Sequence, residues 1–314
     1  MKFQQFLSYV LFALVASCAQ GDESIDSGPS QGVPGGGPDH PQVVTSFFPT
    51  TWLVRRLSGG EVDVSLPLPP GADPIFWQPS REELLAIQGA DLIVLNGAEL
   101  EKWVAGASLP LSRVVETAGG FRESWREYSG VTHVHGGGGE HNHIGVDGHT
   151  WMSPELFELQ AQALGDELRA RGLVSEEVLA AGLREVRREL QALARRMREE
   201  VLPRTAEVRF LTNHPAFDYL LADHVDLVNL DLDPDSEDIS SVVSAVREGR
   251  GDAVHSVLLW EAEPRPQLRE ALEKELGVLS VLFTPAENPA ERASNYSAIQ
   301  ANNIDRLIEA LGRL

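Results

Sequence analysis

Five of the nine histidines in this chain fall within a span of seventeen residues. They are His133, His135, His141, His143 and His149, and four glycines at 136–139 interrupt them. Imidazole binds zinc, copper, nickel and iron ions well, and glycines let a backbone fold round an ion. The segment therefore predicts a histidine-rich loop, residues 133–149, that contacts metal, rather than a solvated loop without a ligand.

His149 and His214 stand in more ordered surroundings than the other histidines. His149 comes shortly before Ser153-Pro154, where a helix is expected to begin, and His214 follows a strand expected over 208–213. Open α/β folds bind ligands at the carboxyl ends of their parallel strands. Either histidine alone is more often structural, but the pair comes from opposite sides of a long helix. Such a pair is suited to a cleft between two lobes.

Short apolar runs that alternate with helical patterns must position these histidines, and alternation of this kind predicts parallel sheets covered by helices. The predicted fold class is α/β, with two lobes that each hold a mostly parallel sheet with flanking helices. The expected strands are 43–48, 62–68, 91–96, 208–213, 225–232, 256–261 and 278–283.

One long helix should join the two lobes. Its apolar side chains recur every three or four residues and form a single stripe, at Leu179, Leu183, Val186, Leu190, Leu193, Met197 and Val201. About 27 helical residues span roughly 40 Å, the length of a two-lobed protein. We therefore expect an N-terminal lobe over 41–173, a rigid linking helix over 174–203 and a C-terminal lobe over 204–314.

Three helix starts have recognisable capping residues. Ser80 with Glu83 predicts a capping box, in which each side chain bonds a free backbone N–H. Ser153 before Pro154 places a capping hydroxyl ahead of a proline at the first helical position. Ser175, followed by two glutamates, is expected to open the long helix.

The N-terminus predicts export and anchoring. An apolar run at 6–17 has the length of a signal-peptide core, and Val15-Ala16-Ser17-Cys18 resembles a bacterial lipobox around the only cysteine. The expectation is a signal peptide over 1–17 and a lipidated, flexible tether over 18–40, rich in Gly, Ser and Pro. This places the protein outside the cytoplasm, in the periplasm or at the cell surface, and held to the membrane through Cys18. The alternative is an ordinary cleaved signal peptide with an incidental cysteine.

The charge balance limits the partners. With 47 acidic and 26 basic residues, the formal charge is -21. This negative charge would repel phosphate backbones, so no nucleic-acid partner is expected. It would attract a metal cation.

Several motifs in order resemble the zinc/manganese solute-binding proteins of bacterial ABC transporters, from about residue 42 to the C-terminus. The resemblance is carried by Gly71-Ala72-Asp73-Pro74 with Gln78-Pro79-Ser80, by Asn96-Gly97, Leu100-Glu101 and Trp103, by His149-Thr150-Trp151-Met152-Ser153-Pro154, by Thr212 to Leu220, and by Tyr296, Ile299 and Asn303. A histidine-rich insertion before the second ligand is typical of the zinc-specific members. The family has two α/β lobes joined by one helix.

Two ligand positions of that family are not kept. The histidine expected after Asp-Pro is Ile75, and the aspartate expected before a proline near the C-terminus is Thr284. The resemblance then leaves His149 and His214 as matched ligands, whereas zinc usually takes four. A loop histidine, Glu287, Asp73 or Glu261 could complete the set, and the sequence does not choose among them.

The resemblance implies a solute-binding lipoprotein, not an enzyme, that captures Zn²⁺ between its lobes and delivers it to an ABC permease in the inner membrane. Other divalent transition metals are possible, and a monomer is expected. A degenerate relative that binds another ligand or a protein partner is the alternative, favoured by Ile75 and Thr284. A metallohydrolase is a third possibility, but no His-Glu-x-x-His motif or nucleophile elbow supports it.

Overall fold

The first sheet is built from four parallel strands. The computed structural model describes residues 40–128, 132–135, 139–142, 145–289 and 295–314, with the backbone alone at 132–135 and 139–142. The elements of this part are β1 (Gln42–Thr45), α1 (Phe48–Ser58), β2 (Asp63–Ser65), α2 (Arg81–Gly89), β3 (Leu92–Leu95) and β4 (Val114–Glu116). The strands lie in the order β2-β1-β3-β4, and every adjacent pair is parallel.

Two short antiparallel pairs follow the first sheet. They are formed by β5 (Arg126–Glu127), β6 (Thr132–His135), β7 (Gly139–Asn142) and β8 (Val146–Asp147). β5 pairs with β8, and β6 pairs with β7 so that His133 lies opposite His141 in the backbone register. The side chains of His133, His135 and His141, and all of His143, lie outside the described part of the chain.

Two helices come next, α3 (Pro154–Ala170) and α4 (Glu176–Arg196), and α4 continues as a π-helical turn over Met197–Val201. The apolar stripe read from the sequence faces the interior: six of its seven side chains are buried and Leu183 is half-buried. The hydrophobic effect of covering this stripe holds the helix in place.

The second sheet repeats the architecture of the first. Its elements are β9 (Val208–Thr212), α5 (Asp218–Leu221), β10 (Asp226–Asn229), α6 (Ile239–Arg250), β11 (His255–Trp260), α7 (Pro266–Leu276), β12 (Leu279–Leu282) and α8 (Tyr296–Leu311). The order is β10-β9-β11-β12, again with all neighbours parallel. The predicted α/β fold with two mostly parallel sheets is confirmed.

One hydrophobic core connects the two halves. A single cluster of buried side chains includes Val43 and Val94 of the first sheet and Phe210 and Leu259 of the second. α4 packs against α1 and α3 of the first half and against α8 of the second. No described helix has both the length and the apolar content needed to cross a membrane.

The expected helix starts are mostly, but not entirely, as predicted. Both hydrogen bonds of the Ser80–Glu83 capping box are present, and Ser153 Oγ accepts from Leu156 N at 3.2 Å. Ser175 precedes α4 but does not cap it. Its hydroxyl instead donates to Glu61, which also accepts from Ser175 N, because a carboxylate is the stronger acceptor.

Candidate metal centre

Every strand of the second sheet delivers a potential ligand at its carboxyl end. His214 follows β9, Asp233 follows β10, Glu261 comes directly after β11, and Glu287 follows β12. Because the four strands are parallel, these ends share one edge of the sheet. The sheet topology therefore gathers one imidazole and three carboxylates that are far apart in sequence.

His149 approaches the same region from the first half of the chain. It stands between β8 and the short 3-10 turn Thr150–Met152 that leads into α3. The preceding Gly148 is required by packing, because a Cβ there would lie 2.9 Å from Leu100 Cβ and 3.0 Å from Leu100 Cα. This close approach holds the backbone beside His149 against Leu100.

A buried polar network fixes the turn that carries His149. Asn96 Nδ2 donates to Gly148 O at 2.9 Å, while Asn96 Oδ1 accepts from Gln160 Nε2 at 2.8 Å and from Thr150 Oγ1 at 3.2 Å. Glu101 accepts in turn from the backbone N–H of Asn96 at 2.7 Å. Burial raises the pKa of Glu101, and the hydrogen bond that its carboxylate accepts from Asn96 opposes that rise. Four side chains bonded to one another and to the backbone in this way restrict the turn to one geometry.

The His149 imidazole is fully buried and has a carboxylate at each end. Its Nδ1 lies 2.6 Å from Asp147 Oδ1, which also accepts the His149 backbone N–H at 2.9 Å. Its Nε2 lies 2.9 Å from Glu287 Oε1, which is the distance of an ion pair when the ring is protonated. Burial is the largest single influence on the pKa of His149 and lowers it. Asp147 and Glu287 together outweigh burial and raise that pKa well above its ordinary value.

His214 lies close to His149. The two ring centroids are 5.6 Å apart, at an interplanar angle of 74°. His214 Nδ1 is 3.5 Å from Glu261 Oε2, and the Glu261 backbone N–H donates to Asn213 Oδ1 at 2.9 Å. The structure therefore brings together the two histidines that sequence reasoning selected, each beside a carboxylate.

Thr284 stabilises the backbone turn of the loop that carries Glu287. Its Oγ1 accepts from Ala286 N at 3.2 Å, and Ala286 adopts a left-handed conformation with φ of 62°. Asn303 Nδ2 donates to Thr284 O at 2.8 Å, which ties the loop to α8. Phe48 N donates to Glu287 O at 2.9 Å and ties it to α1. The position where the resembled family has an aspartate thus builds the turn, and Glu287 supplies the carboxylate three residues later.

Ile75, at the other departure from the family pattern, is a buried wall residue. It is 7% exposed, and its backbone N–H donates to Asp73 Oδ1 at 2.7 Å. Asp73 lies at the cavity mouth and is exposed as a whole residue. Desolvation of its carboxylate and the nearby Glu287 nevertheless raise the pKa of Asp73.

A cavity of about 320 Å³ lies where these groups meet. Two imidazoles and four carboxylates face it, and none of its nine lining residues is Lys or Arg. They are Asp73, Ile75, Phe76, His149, His214, Asp233, Pro234, Glu261 and Glu287. Nitrogen and oxygen donors with excess negative charge are suited to a divalent cation.

The side chains stand slightly too close together for a bound ion. Two ligands each about 2.1 Å from a tetrahedral zinc are about 3.4 Å apart. His149 Nε2 and Glu287 Oε1 are 2.9 Å apart, so about half an ångström of opening would admit an ion between them. Within the described part of the chain, no three His, Cys, Asp or Glu side chains already converge as a complete metal site.

Sequence reasoning missed two acidic residues at this site, Asp233 in the cavity wall and Asp147. The side chain of Asp147 is 1% exposed, and it orients the His149 ring through Nδ1. Histidines that bind metal commonly donate their second ring N–H to a carboxylate in this way. The sequence offered one sign of this role: Asp147 is a carboxylate two residues before the candidate ligand His149.

The sequence matches a described protein family over most of its length. Residues 43–310 match the family model described as zinc-uptake complex component A, periplasmic. The high-affinity zinc uptake system protein ZnuA of Bacillus subtilis is 25% identical, over 98% of this chain and 96% of that protein. The zinc-binding lipoprotein AdcA of Streptococcus pneumoniae is also 25% identical over 84% of this chain. The chain spans about half, 54%, of AdcA.

Solved structures show the same fold. The metal-dependent lipoprotein YcdH of Bacillus subtilis superposes with a TM-score of 0.73 at 22% identity, over 86% of this chain and 98% of that one. This similarity establishes the arrangement of the two sheets.

Proposed function

This chain belongs to the family of periplasmic zinc-uptake component A proteins, and we propose that it captures Zn²⁺ outside the cytoplasm for an ABC importer. Its named relatives in Bacillus and Streptococcus are zinc uptake and zinc-binding proteins. The role is that of a binding protein and not of an enzyme. Zinc is the cargo, taken up at the edge of the second sheet and released to a permease in the inner membrane.

The contact between His149 Nε2 and Glu287 Oε1 carries the proposal. His149 Nε2 and Glu287 Oε1 are 2.9 Å apart, and the His214 ring lies 5.6 Å from the His149 ring. Imidazole nitrogens beside a carboxylate oxygen are a donor set that suits a divalent transition-metal ion. An ion between His149 and Glu287 would take the place of the proton on the ring.

The proposed ligands are His149, His214 and Glu287, with Asp73 or Glu261 as the fourth. Glu287 takes over the acidic role that the family usually gives to the position of Thr284. Asp73 and Glu261 line the same cavity. His133, His135, His141 and His143 are proposed as weaker accessory sites that collect ions for the main one.

We assign the N-terminal lobe to 41–173, the linking helix to 174–203 and the C-terminal lobe to 204–314. Four parallel strands on each side of α4 support this division, as do the contacts of α4 with α1, α3 and α8. The ion would then bridge the lobes, with His149 from the first and His214 from the second. We propose that the protein works as a monomer.

Cys18 is the proposed lipid anchor, after removal of a signal peptide over 1–17. Wild-type protein should fractionate with membranes, and Cys18→Ser should appear in the soluble extracytoplasmic fraction or stay unprocessed. Immunoblots of cell fractions measure this. Wild-type protein found wholly in the soluble fraction would show that residues 18–40 are not a lipidated tether.

Zinc titrated into a soluble form that begins after residue 40 should give one tight equivalent and release about one proton near pH 7. The reason is the raised pKa of His149, which leaves a proton on the ring for zinc to displace. Affinity should be complete above that raised pKa and fall as the pH drops through it. Calorimetry in buffers of different ionisation enthalpy measures both the affinity and the released proton.

Two results would contradict this account. No tight equivalent at any pH would remove the proposed function and favour the degenerate relative. A tight equivalent whose affinity is flat from pH 8 to pH 6 would keep zinc binding but exclude His149 as a protonated ligand in the metal-free protein.

A further inference from the structure

Tyr219 links the two segments that carry the candidate histidines. It lies in α5, five residues after His214, and its side chain reaches β5 and β8. Its hydroxyl donates to Asp147 O at 2.9 Å and accepts from Arg126 N at 2.8 Å. Tyr219 and Asp147 are both buried, so the bond between them is shielded from water.

The bonded atoms belong to one residue pair of the short β5–β8 ladder. Arg126 and Asp147 are directly opposite each other in that ladder. One hydroxyl from α5 therefore holds both strands where the ladder ends. Two residues beyond this point, the chain reaches His149.

Asp147 connects the Tyr219 hydroxyl to the imidazole of His149. Its backbone carbonyl is held by Tyr219, while its carboxylate holds His149 Nδ1 at 2.6 Å and His149 N at 2.9 Å. An unbroken chain of short polar contacts thus runs from α5 through Asp147 to the ring. The N-terminal end of α5, next to Tyr219, is joined to His214 through the backbone of residues 215–217.

We propose that Tyr219 is a positioning residue of the metal site, whose hydroxyl sets the distance between His149 and His214. The inference rests on the proposed function, because it concerns the geometry of that site. Tyr219 touches no ion; it acts through Asp147. The same hydroxyl bonds one residue of each strand that flanks residues 128–145.

A second contact between α5 and β5 is a different kind of interaction. Arg126 pairs with Asp223, whose side chain is 71% exposed, and the Arg126 guanidinium lies 5.7 Å from the centre of the Tyr219 ring. Exposed ion pairs are screened by solvent and contribute little. Asp223→Asn is therefore the matched control, because it weakens the same junction without touching the hydroxyl.

The test is Tyr219→Phe in the full chain, which removes one oxygen and keeps the ring beneath Arg126. Zinc affinity should fall about tenfold or more, as is typical when the outer partner of a ligand is lost. Asp223→Asn should stay within threefold of wild type. Cobalt(II) absorption, which reports ligand geometry, should change in Tyr219→Phe and not in the control. Circular dichroism and melting of the metal-free proteins check the fold.

The possible results separate this inference from the proposed function. Wild-type affinity and an unchanged cobalt spectrum in Tyr219→Phe would overturn it while zinc binding stands. Equal losses in Tyr219→Phe and Asp223→Asn would also overturn it, since a loose junction and not the hydroxyl would then be responsible. If Tyr219→Phe is unfolded without metal while Asp223→Asn is folded, the hydroxyl holds the fold and not the distance between the two histidines, and the inference is overturned. A wild-type chain that binds neither zinc nor cobalt would overturn the proposed function, and this inference with it.

Discussion

Zinc should raise the melting temperature of the wild-type chain, and substitutions of His149 or His214 should each erase that rise. A ligand that binds only the folded state stabilises it by about 2.7 kcal/mol at 100 times its dissociation constant. For a chain of this size each kcal/mol corresponds to about 2–4 °C, so the rise should be roughly 5–10 °C. Each ring supplies one of two imidazoles at a site that bridges distant segments, and its loss should remove most of the affinity.

The best substitution at His149 is dictated by its contacts. His149→Ala would leave the buried Asp147 carboxylate without its ring partner and would destabilise the metal-free protein as well. His149→Asn places an amide N–H near the position of Nδ1, so it can keep the bond to Asp147 while removing Nε2. We expect it to lose the zinc-induced rise with a smaller change in metal-free stability. His214→Ala tests the second imidazole.

An exposed histidine outside the cavity provides the control. His224→Asn makes the same chemical change at a residue that does not line the site, and the full rise should remain. Thermal melts with and without zinc, after chelation of residual metal, measure all four proteins. If His149→Asn and His214→Ala both keep the full rise, zinc binds elsewhere and the ligand assignment is wrong.

The fold could be anticipated where burial leaves a continuous apolar run. Leu92, Ile93, Val94 and Leu95 of β3 are all buried, and an uninterrupted run of this kind is typical of a parallel strand covered on both faces. All seven expected strands overlap observed ones. β4 was not anticipated, because it has only three residues, lies at the sheet edge and is partly exposed.

From the sequence alone, only those site residues could be predicted whose type and immediate neighbours point to a ligand. His149 and His214 stand at the ends of elements, where ligands are expected, and the structure places them side by side. Glu287 was one of four alternatives, and its carboxylate proves to face His149 Nε2. Tyr219 was missed because its role depends on a contact with Asp147, 72 positions away, which no local pattern encodes. Asp147 itself lies two residues before His149, and only its short contact with that ring shows its role.

Ile75→His should increase zinc affinity by at least tenfold, or about 1.4 kcal/mol. Ile75 lines the cavity with His149, His214 and Glu287, at the position where the family normally carries a histidine. The turn is already fixed by the bond from Ile75 N to Asp73 Oδ1, which a side-chain substitution leaves intact. A third imidazole would reach the ion from a backbone that is already in place, so little ordering entropy opposes binding.

The gain in affinity should come with a loss of metal-free stability. Ile75 is 7% exposed and belongs to the main core cluster, so a polar ring there must be buried without a certain hydrogen-bond partner. Ile75→Leu keeps volume and polarity and is the control; its zinc affinity should match wild type. Competition with a chelator of known affinity measures binding, and metal-free melting measures the cost. If Ile75→His is folded yet binds no tighter than Ile75→Leu, the ion sits beyond reach of position 75. The site would then depend on the carboxylates of the second sheet and not on the pattern of the family.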